Sequence, residues 1–174
     1  MAVPGAEHRK RFKRWQNLAP PQTRYLSNLL DTELIPKLEA LGFQRVNISR
    51  NNPEWPVSGS EISLERVSGA FLDSITINFE KYRTPRFQIH ASRSEATQPH
   101  TGIRGCNFVA RSSQYCHFWG RPWWLPTRFW SEQGSKRTVV RVLSRTEQLL
   151  LFLEVGERGS NISKRIETSA TKKN

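Results

Sequence analysis

The chain has 174 residues, 36% of them apolar, and a formal net charge of +12. That length suits one domain with a substantial core, and regular strand patterns argue against disorder throughout. No apolar run approaches the roughly 20 residues of a spanning helix. Two cysteines, Cys106 and Cys116, are too few for a disulfide scaffold, so a reducing cytoplasm is the expected setting.

The charge is uneven. Residues 1–24 carry net +5, residues 25–94 are neutral, 95–156 carry +4 and 157–174 carry +3. Cationic charge clustered at the ends favours a polyanionic partner, nucleic acid above all.

Residues 1–22 read as a basic flexible arm. Arg9-Lys10-Arg11-Phe12-Lys13-Arg14-Trp15 is its densest stretch, and Ala19-Pro20-Pro21 reads as a stiff spacer. The opening residues turn basic where a secretory signal would become apolar, so no signal peptide is expected. A helix should begin near Gln22 or Thr23. Leu26, Leu29, Leu30, Leu34, Leu38 and Leu41 recur at three- and four-residue steps and make one apolar stripe. Pro36 interrupts it, predicting either a kink or a second short helix capped by Asp31 or Thr32. Gly42 stops the helix, and residues 43–49 read as a first strand.

The run from Leu34 to Phe43, with Gln44, Arg45 and then antiparallel strands, resembles the opening of a bacterial family of α+β domains of unknown function. That resemblance covers roughly residues 24–93. It implies a helix, a Gly-Phe corner and an antiparallel sheet, and it brings no catalytic residues.

Residues 59–93 form the clearest pattern. Ile62, Leu64 and Arg66 share a face of one strand, Phe71, Asp73, Ile75, Ile77 and Phe79 a face of the next, and Phe87, Ile89 and Ala91 a face of the third. Short connections holding Gly69 and Pro85 make this an antiparallel meander. Asp73 stands on an apolar face and therefore needs a partner or marks a polar pocket. Residues 95–102 read as a polar loop and 103–109 as a weak strand.

Residues 115–130 hold four of the six tryptophans, with Pro122, Pro126, Arg121 and Arg128 between them. An irregular Trp-rich loop closes a sheet edge or face, stacks on bases, inserts at a membrane interface or anchors a partner protein. Residues 131–136 read as a turn and 138–143 as a strand, with a longer helix from Thr138 as the alternative. Ser144-Arg145-Thr146-Glu147 fits a capping box before an apolar helix that Gly156 ends. Residues 157–174 read as a polar basic tail.

Together these elements predict a single α+β domain over residues 23–156. Its sheet is antiparallel, with about four to six strands and a leading and a trailing helix packed on one face. The spacing of Cys106, Cys116, His100 and His117 does not fit a zinc site, and no metal or cofactor is expected. Glu61, Glu65, Asp73 and Glu80 are expected to form cross-strand ion pairs; a hydrolase would need an acidic cleft around Asp73 and Glu65. No catalytic residue and no small-molecule substrate emerge. The expected function is non-enzymatic binding of nucleic acid through Arg9, Lys10, Arg11, Lys13, Arg14, Arg121 and Arg128, with Trp15 and Trp123 stacking. The alternative is a protein–protein subunit, toxin-neutralising or complex-assembling, that uses residues 115–130 as its interface.

Overall fold

The structure is a computed structural model, and it describes residues 4–50, 53–79, 85–108, 117–119 and 128–164. Five strands form a sheet in sequence order: β1 Gln44–Arg45, β2 Glu61–Ser68, β3 Phe71–Phe79, β4 Phe87–Glu95 and β5 Gln98–Phe108. All neighbours are antiparallel. The register places Leu64 beside Ile75 and Ile75 beside Ala91, so alternate residues of three strands build one apolar face. The opposite face is polar. It carries Ser63, Thr76, Ser74 and Ser92, and the hydroxyls of Ser63 and Thr76 lie 3.3 Å apart.

Helices cover the apolar face. The leading segment runs α1 Ala6–Leu18, α2 Pro21–Leu29, a π-helical turn Leu30–Leu34, and α3 Ile35–Ala40. The trailing pair is α4 Glu132–Leu143 and α5 Thr146–Val155. Leu34 and Leu38 meet Val142 and Leu149 over Ile75, Ile77, Ile89 and Phe108. Burial of these side chains supplies the main driving force, roughly 1.5–3 kcal/mol for each. The α+β architecture with helices before and after the sheet is as the patterning predicts.

The stripe around Pro36 resolves as the second short helix, α3, but without the expected cap. Pro36 lacks an N–H and falls in the first turn of that helix, and the chain before it takes neither Asp31 nor Thr32 as a cap. That segment widens into one π turn, with the Ile35 N–H bonded to the Leu30 carbonyl.

Several sequence expectations are corrected. Residues 6–18 are not a free arm: α1 buries His8, Phe12 and Gln16, one turn apart, and Phe12 joins the main core. Gly5 starts this helix at φ 70°, and a Cβ there would lie 2.7 Å from the Arg45 carbonyl oxygen. Only glycine fits that approach. The strand expected over 43–49 shrinks to two residues, and the loop expected over 95–102 shrinks to a turn at Ala96-Thr97, because β5 already begins at Gln98. Residues 138–143 are helical, as are 132–137. Ser131 caps α4 by accepting from the Gly134 N–H at 2.9 Å, and Ser135, Thr138, Val139 and Val142 form its buried stripe. The capping box at Ser144 does not form; its hydroxyl donates to the Arg141 carbonyl and no side chain caps α5. The tail contributes β8, Ile162–Lys164, which pairs with β5 as the sixth strand. In the Trp-rich segment β6 His117–Trp119 and β7 Arg128–Trp130 form an antiparallel ladder, and Trp130 sits edge-on to Tyr25 at 5.7 Å.

Candidate nucleic-acid interface

Helix α1 places its five basic residues in three different environments. Arg11 is tied to the loop before β2, its Nε donating to the Val57 carbonyl and its Nη2 to that of Asn47. Arg9 and Lys10 have carboxylate partners, Glu39 at 2.7 Å and Glu7 at 3.1 Å, and both pairs are solvated. Solvated pairs of this kind hold little energy, about 0–1 kcal/mol, and exchange readily for a stronger anion. Lys13 and Arg14 are exposed and have no carboxylate partner among the described residues. Trp15 is half-buried, with its ring 4.9 Å from Phe79 and 5.7 Å from Phe12. Its faces are therefore engaged in packing rather than presented as a stacking platform. Arg121 and Trp123 lie outside the described residues, as does the side chain of Arg128.

Arg9, Lys10 and Lys13 line a cleft of about 330 Å³ together with Phe12, Gln16, Asp31 and Arg45. Three elements meet there: α1, the π turn and β1. Arg45 is almost wholly buried. Its Nη2 donates to Asp31 Oδ1, its guanidinium lies 5.7 Å from the centre of the Phe12 ring, and its Nε has no partner among the described residues. The Gln16 amide nitrogen donates to Ser27 Oγ at 3.1 Å and Asn28 Oδ1 at 3.2 Å, while its Oε1 has no partner among the described residues. Arg45 and Gln16 are not among the site residues the sequence suggests, and Asp31 stands there only as an alternative to Thr32 for a helix cap. No spacing in the chain announces them, because tertiary packing alone brings residues 16, 31 and 45 together.

His8 anchors α1 to the sheet. Its Nε2 lies 2.5 Å from the Glu61 carbonyl oxygen, so that nitrogen carries the proton and donates. Burial lowers its pKa to about 4, and the nearby Arg45 and Arg11 charges push the same way. The ring is therefore neutral at pH 7.

Glu65 and Asp73 do not form a catalytic pair, and Glu80 lies outside the described residues. Glu65 stands opposite Ser74 and Arg66 opposite Asp73, so Glu65 and Asp73 face opposite sides of the sheet. Glu65 accepts from Ser49 Oγ at 3.0 Å and from the Arg50 N–H at 2.8 Å. Asp73 is fully buried between two guanidinium groups, bonded to Arg93 at 2.6 and 2.9 Å and to Arg66 at 2.8 and 3.3 Å. Burial alone would raise its pKa, but the two arginines outweigh that and hold the carboxyl below its usual range. Arg93 and Arg104 also donate to the Glu154 carbonyl, where α5 ends with unpaired carbonyl groups. Asp73 thus has the partner its position demanded, and the cluster pins α5 to the sheet.

The Cys106 thiol is buried, and burial pushes its pKa up to about 12, which leaves no thiolate for nucleophilic chemistry. Among the described residues no group of three or more His, Cys, Asp or Glu side chains is placed to hold a metal ion. No described helix is long and apolar enough to cross a membrane. No family model matches the chain, and comparison with curated proteins and with solved structures likewise finds no match.

Proposed function

We propose that this chain is a non-enzymatic nucleic-acid-binding module whose contact surface is the outward side of α1. The observation that carries this reading is the pairing of Lys13 and Arg14 on one exposed turn, without carboxylate partners among the described residues, with Lys13 also lining a cleft that Arg9 and Lys10 rim. A rigid helix holds these cations at fixed spacing, which lowers the ordering cost of binding. The contact is to phosphates, so the module tolerates many sequences and its affinity falls steeply with salt.

The test is fluorescence anisotropy with labelled single- and double-stranded DNA and RNA over a salt series. With three to four phosphates neutralised, log K should fall with log salt at a slope of about −2 to −3 on single strands. The double substitution Lys13→Glu and Arg14→Glu touches no buried group and should weaken binding at least about ten-fold and flatten that slope by more than one unit. Absence of binding at low salt, or equal binding by the variant, would refute the assignment.

A further inference from the structure

The cleft beside α1 is not lined as a plain phosphate site. Its rim is cationic, through Arg9, Lys10 and Lys13, but its wall carries the Asp31 carboxylate. That group is partly exposed and accepts only from Arg45 among the described residues. An ionised carboxylate has about four lone-pair positions, so roughly three remain. Gln16 lines the same cleft, a buried amide whose Oε1 acceptor has no partner among the described residues. A bare phosphate would meet repulsion from Asp31 and would satisfy neither acceptor. A ligand that fits must bring an anion for the rim and N–H donors for the wall.

We propose, resting on the nucleic-acid reading above, that this cleft seats one nucleotide of a bound strand. Its phosphate lies against Lys13 and Arg9, and the donor edge of its base against Asp31. Guanine is the base whose Watson–Crick edge sets a ring N–H and an amino group side by side, the pattern a carboxylate accepts in two parallel bonds. The volume of about 330 Å³ is at the lower end of the range for small-molecule sites, roughly 300–1,000 Å³, and suits one nucleotide. The π turn supports the assignment, because single π turns within helices concentrate at functional sites and this one carries Asp31.

The test is competition of unlabelled mononucleotides against a labelled strand on the intact protein. Guanosine monophosphate should compete about ten-fold better than inosine monophosphate, which lacks the amino group, and better again than inorganic phosphate. Asp31→Asn should erase the guanosine–inosine difference, and Lys13→Ala should weaken both nucleotides by the same factor. Because Asp31→Asn also leaves Arg45 without its counter-charge, circular dichroism of that variant accompanies the titration. The guanosine–inosine comparison on the unaltered protein stands independently of it. Equal competition by guanosine monophosphate, inosine monophosphate and phosphate would overturn the nucleotide assignment while leaving strand binding by α1 intact. If no strand binds at all, the failure lies with the proposed function instead.

Discussion

Removing the carboxylate of Asp73 should be among the most damaging single changes in this fold. The group is wholly buried, and the side chains of Arg93 and Arg66 retain only 7% and 15% of their exposure. Asp73→Ala leaves two largely desolvated guanidinium groups without the buried carboxylate they share, and Arg66 keeps only its pair with the half-exposed Glu154 carboxylate at 3.1 Å. Breaking a buried ion pair from one side costs about 3–5 kcal/mol, a large share of the roughly 5–15 kcal/mol that stabilises a typical domain. For a chain of this length, each kcal/mol lowers the melting temperature by about 2–4 °C, so the midpoint should fall by roughly 6–20 °C. Urea unfolding followed by circular dichroism measures the change directly. Arg93→Ala should cost more than Arg66→Ala, because Arg93 is the more buried of the two and bonds both carboxylate oxygens of Asp73, where Arg66 bonds one. The double variant Asp73→Ala with Arg93→Ala should cost less than the two single losses added together. A loss below about 1 kcal/mol for Asp73→Ala, or full additivity with Arg93→Ala, would refute the view that this cluster is desolvated and mutually dependent. The carboxyl's pKa is lowered by folding, so its stabilisation is present above the ordinary value near 3.8 and is lost as pH falls through the folded value.

His8 makes the fold acid-sensitive in a separate window. Its pKa falls from 6.5 to about 4 on folding, so its stabilisation is full above pH 6.5 and is lost between 6.5 and 4, in total about 3 kcal/mol. Burial raises the Glu61 carboxyl and acts in the opposite sense, so the check is the difference between the protein and His8→Gln in denaturant midpoints from pH 7 to 4. A variant with the same slope in this interval would exclude His8 as the source. Cys106 should resist a thiol reagent at pH 8 in the folded protein and react once urea unfolds the chain; mass spectrometry of the peptide separates it from Cys116. Ser131→Ala should cost about 1 kcal/mol in chemical denaturation by removing the cap of α4, with Ser131→Asp close to neutral.

What was legible in the chain follows the simplest periodicity. Two-residue alternation over Ile62–Leu64, Ile75–Ile77 and Phe87–Ile89 identifies the meander, and a two-residue turn at Gly69-Ala70 fixes the register that sets Arg66 opposite Asp73. Helix α4 is hidden because its buried stripe is Ser135, Thr138, Val139 and Val142, residues whose β-branching or polarity imitates a strand or a turn. Helix α1 is hidden for a related reason. Only one of its three buried residues, Phe12, is apolar, so the inward face carries no hydrophobic signature, and His8 and Gln16 read as solvent-exposed until their partners across the fold are known. The cleft lies beyond any local pattern, since its walls come from a helix, a π turn and a strand that only the folded core brings together.

That dual character of α1 decides how its function has to be tested. Deleting residues 1–18 would remove Phe12 from the core, expose Phe79 and Arg45, and leave the Glu61 carbonyl and the Asn47 side chain without their partners. The loss of one buried aromatic side chain alone costs about 3–5 kcal/mol. A truncated chain that failed to bind nucleic acid would therefore report unfolding as readily as the loss of a contact surface. Charge reversal at Lys13 and Arg14 avoids this ambiguity, because both side chains are exposed and neither makes a hydrogen bond or ion pair among the described residues. Stability should stay within about 0.5 kcal/mol of the original protein while affinity falls. The outcome that separates the two roles of the helix is thus an unchanged unfolding midpoint together with a changed salt slope. If the midpoint moved as well, Lys13 or Arg14 would be holding the fold together, and the outward face of α1 would lose its claim to be a binding surface.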